Sequence, residues 1–153
     1  MDAPRSPFHN VTEYLAWDHD GQEDLLLEAR DAVDGGELAA AVAHFDSYHR
    51  RLVRHMRLEE VILFPLVESL TPAIAAAVAE MRHEHFHIRR QLGEMRRALH
   101  AGETEAFRHA FEDLGLVLMA HEAREERLVY PVLDRSLSPE QRADLAARLA
   151  REH

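Results

Sequence analysis

Twelve histidines and no cysteine stand in a chain of 153 residues. Any metal held here must therefore sit on nitrogen and oxygen, and disulfides, thiolate sites, iron–sulfur clusters and thiol catalysis are excluded. Of the histidines followed four residues later by a glutamate, two recur in matching contexts: His55 before Glu59, and His121 before Glu125. On a helix, residues i and i+4 project from one side about a turn apart, so each pair delivers an imidazole and a carboxylate to one small volume. The second pair lies 66 residues after the first, and His85 lies 66 residues after His19, each of these two preceded by an acid, Asp18 or Glu84. Four nitrogens and two carboxylates exceed what one tetrahedral zinc takes. They suit two ions with two histidines each, bridged by Glu59 and Glu125 and by a solvent-derived oxo or hydroxo group. Imidazole and carboxylate without thiolate favour iron, with manganese next.

The elements that must position these six residues are marked by breakers: Asp34-Gly35-Gly36, Ser69-Leu70-Thr71-Pro72, Ala101-Gly102 and Ser136-Leu137-Ser138-Pro139. Between them run four long segments rich in Ala, Leu, Glu and Arg without period-2 alternation, which is helical composition and length. Helices are expected near residues 11–33, 37–67, 72–100 and 104–134. A short fifth follows from Ser138 as N-cap and Pro139 at the first helical position to about Arg151. Four helices joined by short loops are expected to form an all-α, up-down-up-down four-helix bundle. Pro65 and Pro131, near the ends of the second and fourth segments, are expected to kink or end them. The stretches around them, HMRLEEVILFPLVESLTP and HEAREERLVYPVLDRSLSP, repeat one pattern. The expected division is a flexible N-terminus (1–10), the bundle (11–135) and the short C-terminal helix (136–153).

Amphipathic spacing selects which histidines face inward. The inward rows read Leu15, His19, Gln22, Leu26, Ala29, Val33; then Phe45, Tyr48, Leu52, His55, Glu59, Ile62, Leu66. The third helix gives Ile74, Val78, Met81, His85, Ile88, Leu92, Met95, Leu99, and the fourth Phe107, Phe111, Leu114, Leu118, His121, Glu125, Leu128, Val132. A lone histidine on such a face is more often a satisfied core residue than a ligand. Four in register, two of them adding a glutamate, with no cation on the rows to pair the carboxylates, point to metal. His83 and His87, four apart, fall nearly opposite His85 and are expected to face solvent. His9, His44, His49, His100, His109 and His153 receive no role. Glu60 and Glu126 flank the row and read as acids behind the ligands or at the surface, with a direct ligand role open for them and for Glu23. Tyr48, Tyr14 and Trp17 read as packing residues.

The net charge is −10, with 46% apolar and 30% charged residues. This suits one globular domain, and the basic residues, scattered singly or in pairs, argue against a nucleic-acid partner. No stretch approaches the roughly 20 apolar residues that span a bilayer, and Met1 to Asn10 contains no apolar signal core. A soluble cytoplasmic protein, monomer or homodimer, is expected.

The arrangement Asp18-His19, HMRLEEVILFP from His55, Glu84-His85 and HEAREERLVYP from His121 resembles the hemerythrin-like HHE cation-binding domains over about residues 11–135. The resemblance implies a non-haem di-iron site that binds or reacts with a small diatomic or peroxide (O2, NO or H2O2). In the oxygen carriers of that group the third helix supplies an HxxxH pair and the fourth HxxxxD. Here the third offers His85 alone on its inward face and the fourth HxxxE, closer to relatives linked with sensing, nitric oxide stress, repair and peroxide breakdown. The alternatives are a peroxide-decomposing or oxidase enzyme, iron storage or repair, and a purely structural bundle.

Overall fold

The computed structural model describes residues 7–152. Residues 1–6, most of the segment expected to be flexible, and His153 lie outside them. Helix starts follow the capping residues. Asn10 accepts a hydrogen bond from the Glu13 amide at 2.8 Å and opens α1 (Val11–Asp34). The buried Asp134 carboxylate accepts from the amides of Val11 at 3.0 Å and Thr12 at 3.1 Å, so the far end of the chain also holds this helix start. Thr71 accepts from the Ile74 amide ahead of α4 (Pro72–His100), and Ser138 with Gln141 forms a reciprocal cap on α7 (Pro139–Arg151). The turns after α1 and α4 are closed by Gly36 and Gly102, both at positive φ (73° and 75°), where an L side chain is strained. They too are 66 residues apart, so the repeat extends into the loops.

The second and fourth segments differ from one unbroken rod. α2 (Leu38–Leu58) passes into a π-helical turn, Glu59–Leu63, and then α3 (Phe64–Val67). α5 (Thr104–Arg124) passes likewise into a π-helical turn, Glu125–Val129, and then α6 (Tyr130–Ser136). The expected stop or kink at Pro65 and Pro131 is thus a wider turn placed one turn upstream. Proline cannot donate to the ladder and its ring crowds the carbonyl four residues back. A turn closed by i→i+5 bonds, Phe64 amide to Glu59 carbonyl and Tyr130 amide to Glu125 carbonyl, takes up one extra residue there. The extra residue shifts every later position by one. Ile62 and Val132 are only half-buried and Leu66 and Leu128 exposed, whereas Leu63, Val67, Val129 and Leu133 are buried. Upstream of the π turns the expected rows hold, apart from a half-buried Phe111.

The chain is all-helical, with no strand among the described residues. α1 packs along α2, α2 against α4, α4 along α5, and α1 also meets α5. Two apolar clusters fill the interior. One is built on Phe45, Tyr48, Leu52, Ile88, Phe107 and Leu114, the other on Tyr14, Leu63, Phe64, Val78, Val129 and Tyr130. Each large side chain contributes about 1.5–3 kcal/mol on burial. Between the clusters lies a polar layer. No described helix is long and apolar enough to cross a membrane.

Candidate metal centre

All six expected residues meet in that layer, each at most 5% exposed. His19 comes from α1, His55 from α2, His85 from α4 and His121 from α5. Glu59 and Glu125 are the first residues of the two π turns. The Nε2 atoms of His19 and His55 lie 3.0 Å apart, as do those of His85 and His121. Glu59 Oε1 stands 3.2 Å from His55 Nε2 and 3.6 Å from His85 Nε2. Glu125 Oε1 stands 3.1 Å from His121 Nε2 and 3.8 Å from His19 Nε2. Each carboxylate therefore faces one histidine of its own hairpin and one of the other. Two sets of donors converge closely enough for an ion, Glu59, His85, His121 and Glu125 in one and His19, His55 and Glu125 in the other, and Glu125 belongs to both. Glu59 Oε1 and both Glu125 oxygens are fully buried and accept no hydrogen bond. Buried carboxylate oxygens without donors are costly, and cations bound between them would satisfy all three.

Each of the four histidines is held from behind by a carboxylate. Asp18 accepts from His55 Nδ1 at 2.8 Å, and Glu84 from His121 Nδ1 at 2.5 Å. Glu60 accepts from His85 Nδ1 at 2.8 Å, and Glu126 from His19 Nδ1 at 2.9 Å. These four contacts obey the 66-residue offset throughout. With Nδ1 facing its carboxylate outward, each ring turns Nε2 inward, the atom a metal would take once it is unprotonated. Three of the carboxylates are anchored in turn: Asp18 by Arg51 Nε at 2.8 Å, Glu60 by both Arg89 nitrogens at 2.7 and 2.9 Å, and Glu84 by Arg124. Glu126 has no arginine hydrogen bond among the described residues. Gly21 leaves the space that the Arg51 guanidinium crosses, since a β-carbon there would collide with it.

The electrostatics follow from this layering. Burial pushes the Asp18 carboxyl up, but the hydrogen bonds and charges of His55 and Arg51 more than reverse this and hold it well below the usual range. Burial likewise raises Glu59, and the positive charge of His55 beside it brings it down to about 2. Burial disfavours a charged His55, yet Glu59 and Asp18 on either side raise it to about 10. Without a metal, His55 therefore holds a proton at neutral pH. His121 is pushed down, chiefly by burial. Glu122 is pushed up, again chiefly by burial.

Among the positions at which the halves differ, two bear directly on the layer. Tyr130 stands where the first half has Phe64. Its hydroxyl donates to Glu59 Oε2 at 2.8 Å, whereas Phe64 stacks on His85 at 5.5 Å between ring centres. Glu59 thus has one oxygen free and Glu125 two. Glu122, beside His121, stands where the first half has Met56, and both line the layer. The roles of Asp18, Glu84, Tyr130 and Glu122 were not assigned from sequence. The Phe/Tyr and Met/Glu mismatches between the repeats are the signals that mark the last two. His83 and His87 are exposed and face each other at 3.1 Å, away from the layer, and Glu23 is exposed between α1 and α5.

Among known families, the model described as "Hemerythrin HHE cation binding domain" matches residues 10–133. Neither the curated proteins nor the solved structures gave a match.

Proposed function

This chain belongs to the hemerythrin HHE cation-binding domain family, and from that premise we propose that it is a di-iron protein that binds, senses or detoxifies a small oxidant, O2, NO or H2O2. The ligands proposed are His19, His55, Glu59, His85, His121 and Glu125, presented by an up-down-up-down four-helix bundle. The observation that carries the reading is the trio of buried, donorless oxygens on Glu59 and Glu125, set between two pairs of inward-turned Nε2 atoms. A polar layer serving only to fix helix register would have to satisfy those oxygens itself. All-nitrogen and oxygen donors with four imidazoles suit iron first and manganese second.

When bound, the ion pair supplies open coordination positions and a change of oxidation state for the incoming molecule. The chain's own residues do the rest. Glu125, with both oxygens free, and Glu59, with Oε1 free while Tyr130 holds Oε2, would be the carboxylates that hold the ions. The four outer carboxylates fix the rings and strengthen their donation. Leu52, Met56, Ile88 and Leu118 wall the layer with apolar surface and limit water.

The test is spectroscopic. Protein loaded with ferrous iron without oxygen is titrated in turn with O2, NO and H2O2, and the charge-transfer absorption followed. A saturable change with at least one of the three, lost in Glu125→Ala, is expected. No response to any of them from fully loaded protein would refute the oxidant part of the proposal.

A further inference from the structure

The face of α4 turned away from the polar layer carries a second pair of histidines. His83 and His87 stand four residues apart within that helix, both exposed. Their Nε2 atoms lie 3.1 Å apart, against 3.0 Å for each of the two pairs inside the layer. The rings meet at 85° with centres 4.6 Å apart, so they touch through nitrogen and do not stack face to face.

Other surface imidazoles rest on acids, His44 on Glu28 at 3.2 Å and His100 on Asp46 at 3.0 Å. Among the described residues, His83 and His87 have each other as hydrogen-bonding partner instead. The acids beside them on α4 are engaged across the bundle, Glu84 with His121 and Arg124, and Glu80 with Arg124. His87 also lines an open recess with Arg90, Gln91, Glu94 and Val117, which leaves its nitrogen within reach of solvent.

Two nitrogens 3.1 Å apart, each about 2.0–2.1 Å from one ion, subtend about 95–102° at it. That angle lies between the right angle of a tetragonal site and the tetrahedral angle, the geometries that copper, nickel and zinc adopt on imidazole. Histidines at i and i+4 on one helix face are a bidentate arrangement for such ions. Because α4 already fixes the two backbone positions, binding has only side chains to order.

We propose that His83 and His87 form a second metal site, an exchangeable surface chelate for a late divalent transition ion, with water in the remaining positions. Cu²⁺ binds most tightly, with Ni²⁺ and Zn²⁺ after it. Fe²⁺ stands below Ni²⁺ and Cu²⁺ in that order, so iron destined for the layer is not retained here. None of the six layer residues takes part, and the site stands whether or not the layer holds iron.

Untagged full chain is applied to a resin bearing chelated Cu²⁺. A resin-held ion reaches surface imidazoles but not the buried layer, so retention reads the exterior alone. The parent is expected to need several-fold more imidazole for elution than His83→Ala or His87→Ala, each of which breaks the chelate. His109→Ala, a change at another exposed histidine, should elute with the parent. In solution, equilibrium dialysis of the iron-loaded chain against Ni²⁺ should place one more nickel on the parent than on the His83→Ala, His87→Ala double variant, at equal iron content. All variants should keep the parent's helical content, because the replaced side chains are exposed. Elution of both single variants with the parent, or equal nickel on the parent and the double variant, would overturn the proposal and leave the 3.1 Å contact an imidazole–imidazole hydrogen bond.

Discussion

Asp18 and Glu126 perform the same task on two histidines in very different surroundings, and replacing each by its amide separates the outer layer's contribution from the ligands themselves. Asp18 is 1% exposed and accepts three hydrogen bonds, from His55, Arg51 and Gln22, at 2.8 to 2.9 Å. Asp18→Asn removes the charge and leaves the Arg51 guanidinium, 19% exposed, without its partner. Breaking a buried pair from one side costs about 3–5 kcal/mol; for an arginine that retains some solvent, about 3 kcal/mol is expected for the metal-free protein. The loosened His55 ring should lower metal affinity about 10- to 100-fold, or about 1.4 to 2.7 kcal/mol. Glu126 has a side chain 39% exposed with His19 as its hydrogen-bonded partner. Solvent screens that contact, so Glu126→Gln should cost under about 1 kcal/mol and less than about tenfold in affinity. Denaturant unfolding of metal-free protein and competition against a chelator measure the two quantities. Equal effects of the two substitutions, or an Asp18→Asn variant with unchanged affinity, would refute the assignment of the outer carboxylates as ring-positioning groups.

Metal uptake should depend on pH through His55. With its metal-free value raised to about 10, this ring carries a proton that an incoming ion must expel, so apparent affinity should rise about tenfold per unit through the neutral range; chelator competition at pH 6.5, 7.5 and 8.5, with an indicator dye to count the released proton, checks this, and a flat profile contradicts it. By the same linkage, the stabilisation His55 contributes to metal-free protein is complete below the unfolded histidine value of about 6.5 and disappears as pH rises toward 10, which unfolding curves across that window would show as falling stability. Tyr130→Phe should keep the full metal content but alter the near-ultraviolet spectrum, because Glu59 Oε2 loses its donor; an unchanged spectrum would separate Tyr130 from the site. His55→Leu with Glu59→Leu should leave a folded, metal-free chain at least as stable as the metal-free parent while abolishing the rise in Tm on adding iron, and a rise that persists would mean the ions bind elsewhere.

The helices, the six converging residues and the exclusion of His83 and His87 were all legible, because each depends on spacing along one helix. Three things were not. The rows failed after Glu59 and Glu125, since a proline announces a break in the ladder without saying whether the chain stops, bends or widens into a π turn, and a one-residue widening moves burial from Leu66 to Val67 and from Leu128 to Val129. Glu60 and Glu126 read as acids behind the ligands or at the surface, but which ring each of the four carboxylates holds escaped assignment, because every contact crosses between helices. Asp18 and Glu84 were visible as part of the repeat, yet periodicity within α1 and α4 carries no information about rings on α2 and α5. Tyr130 and Glu122 were hidden by the repeat itself, since reading the halves as equivalent draws the eye from positions where they differ.

If six residues from four helices together hold a pair of ions, elemental analysis of the iron-loaded chain after gel filtration should count them. Two irons per chain are predicted for the parent, two for a His83→Ala, His87→Ala control, and a loss of bound iron in both Glu59→Ala and Glu125→Ala. One iron or none in the parent, or a full complement retained in Glu125→Ala, would contradict that shared site.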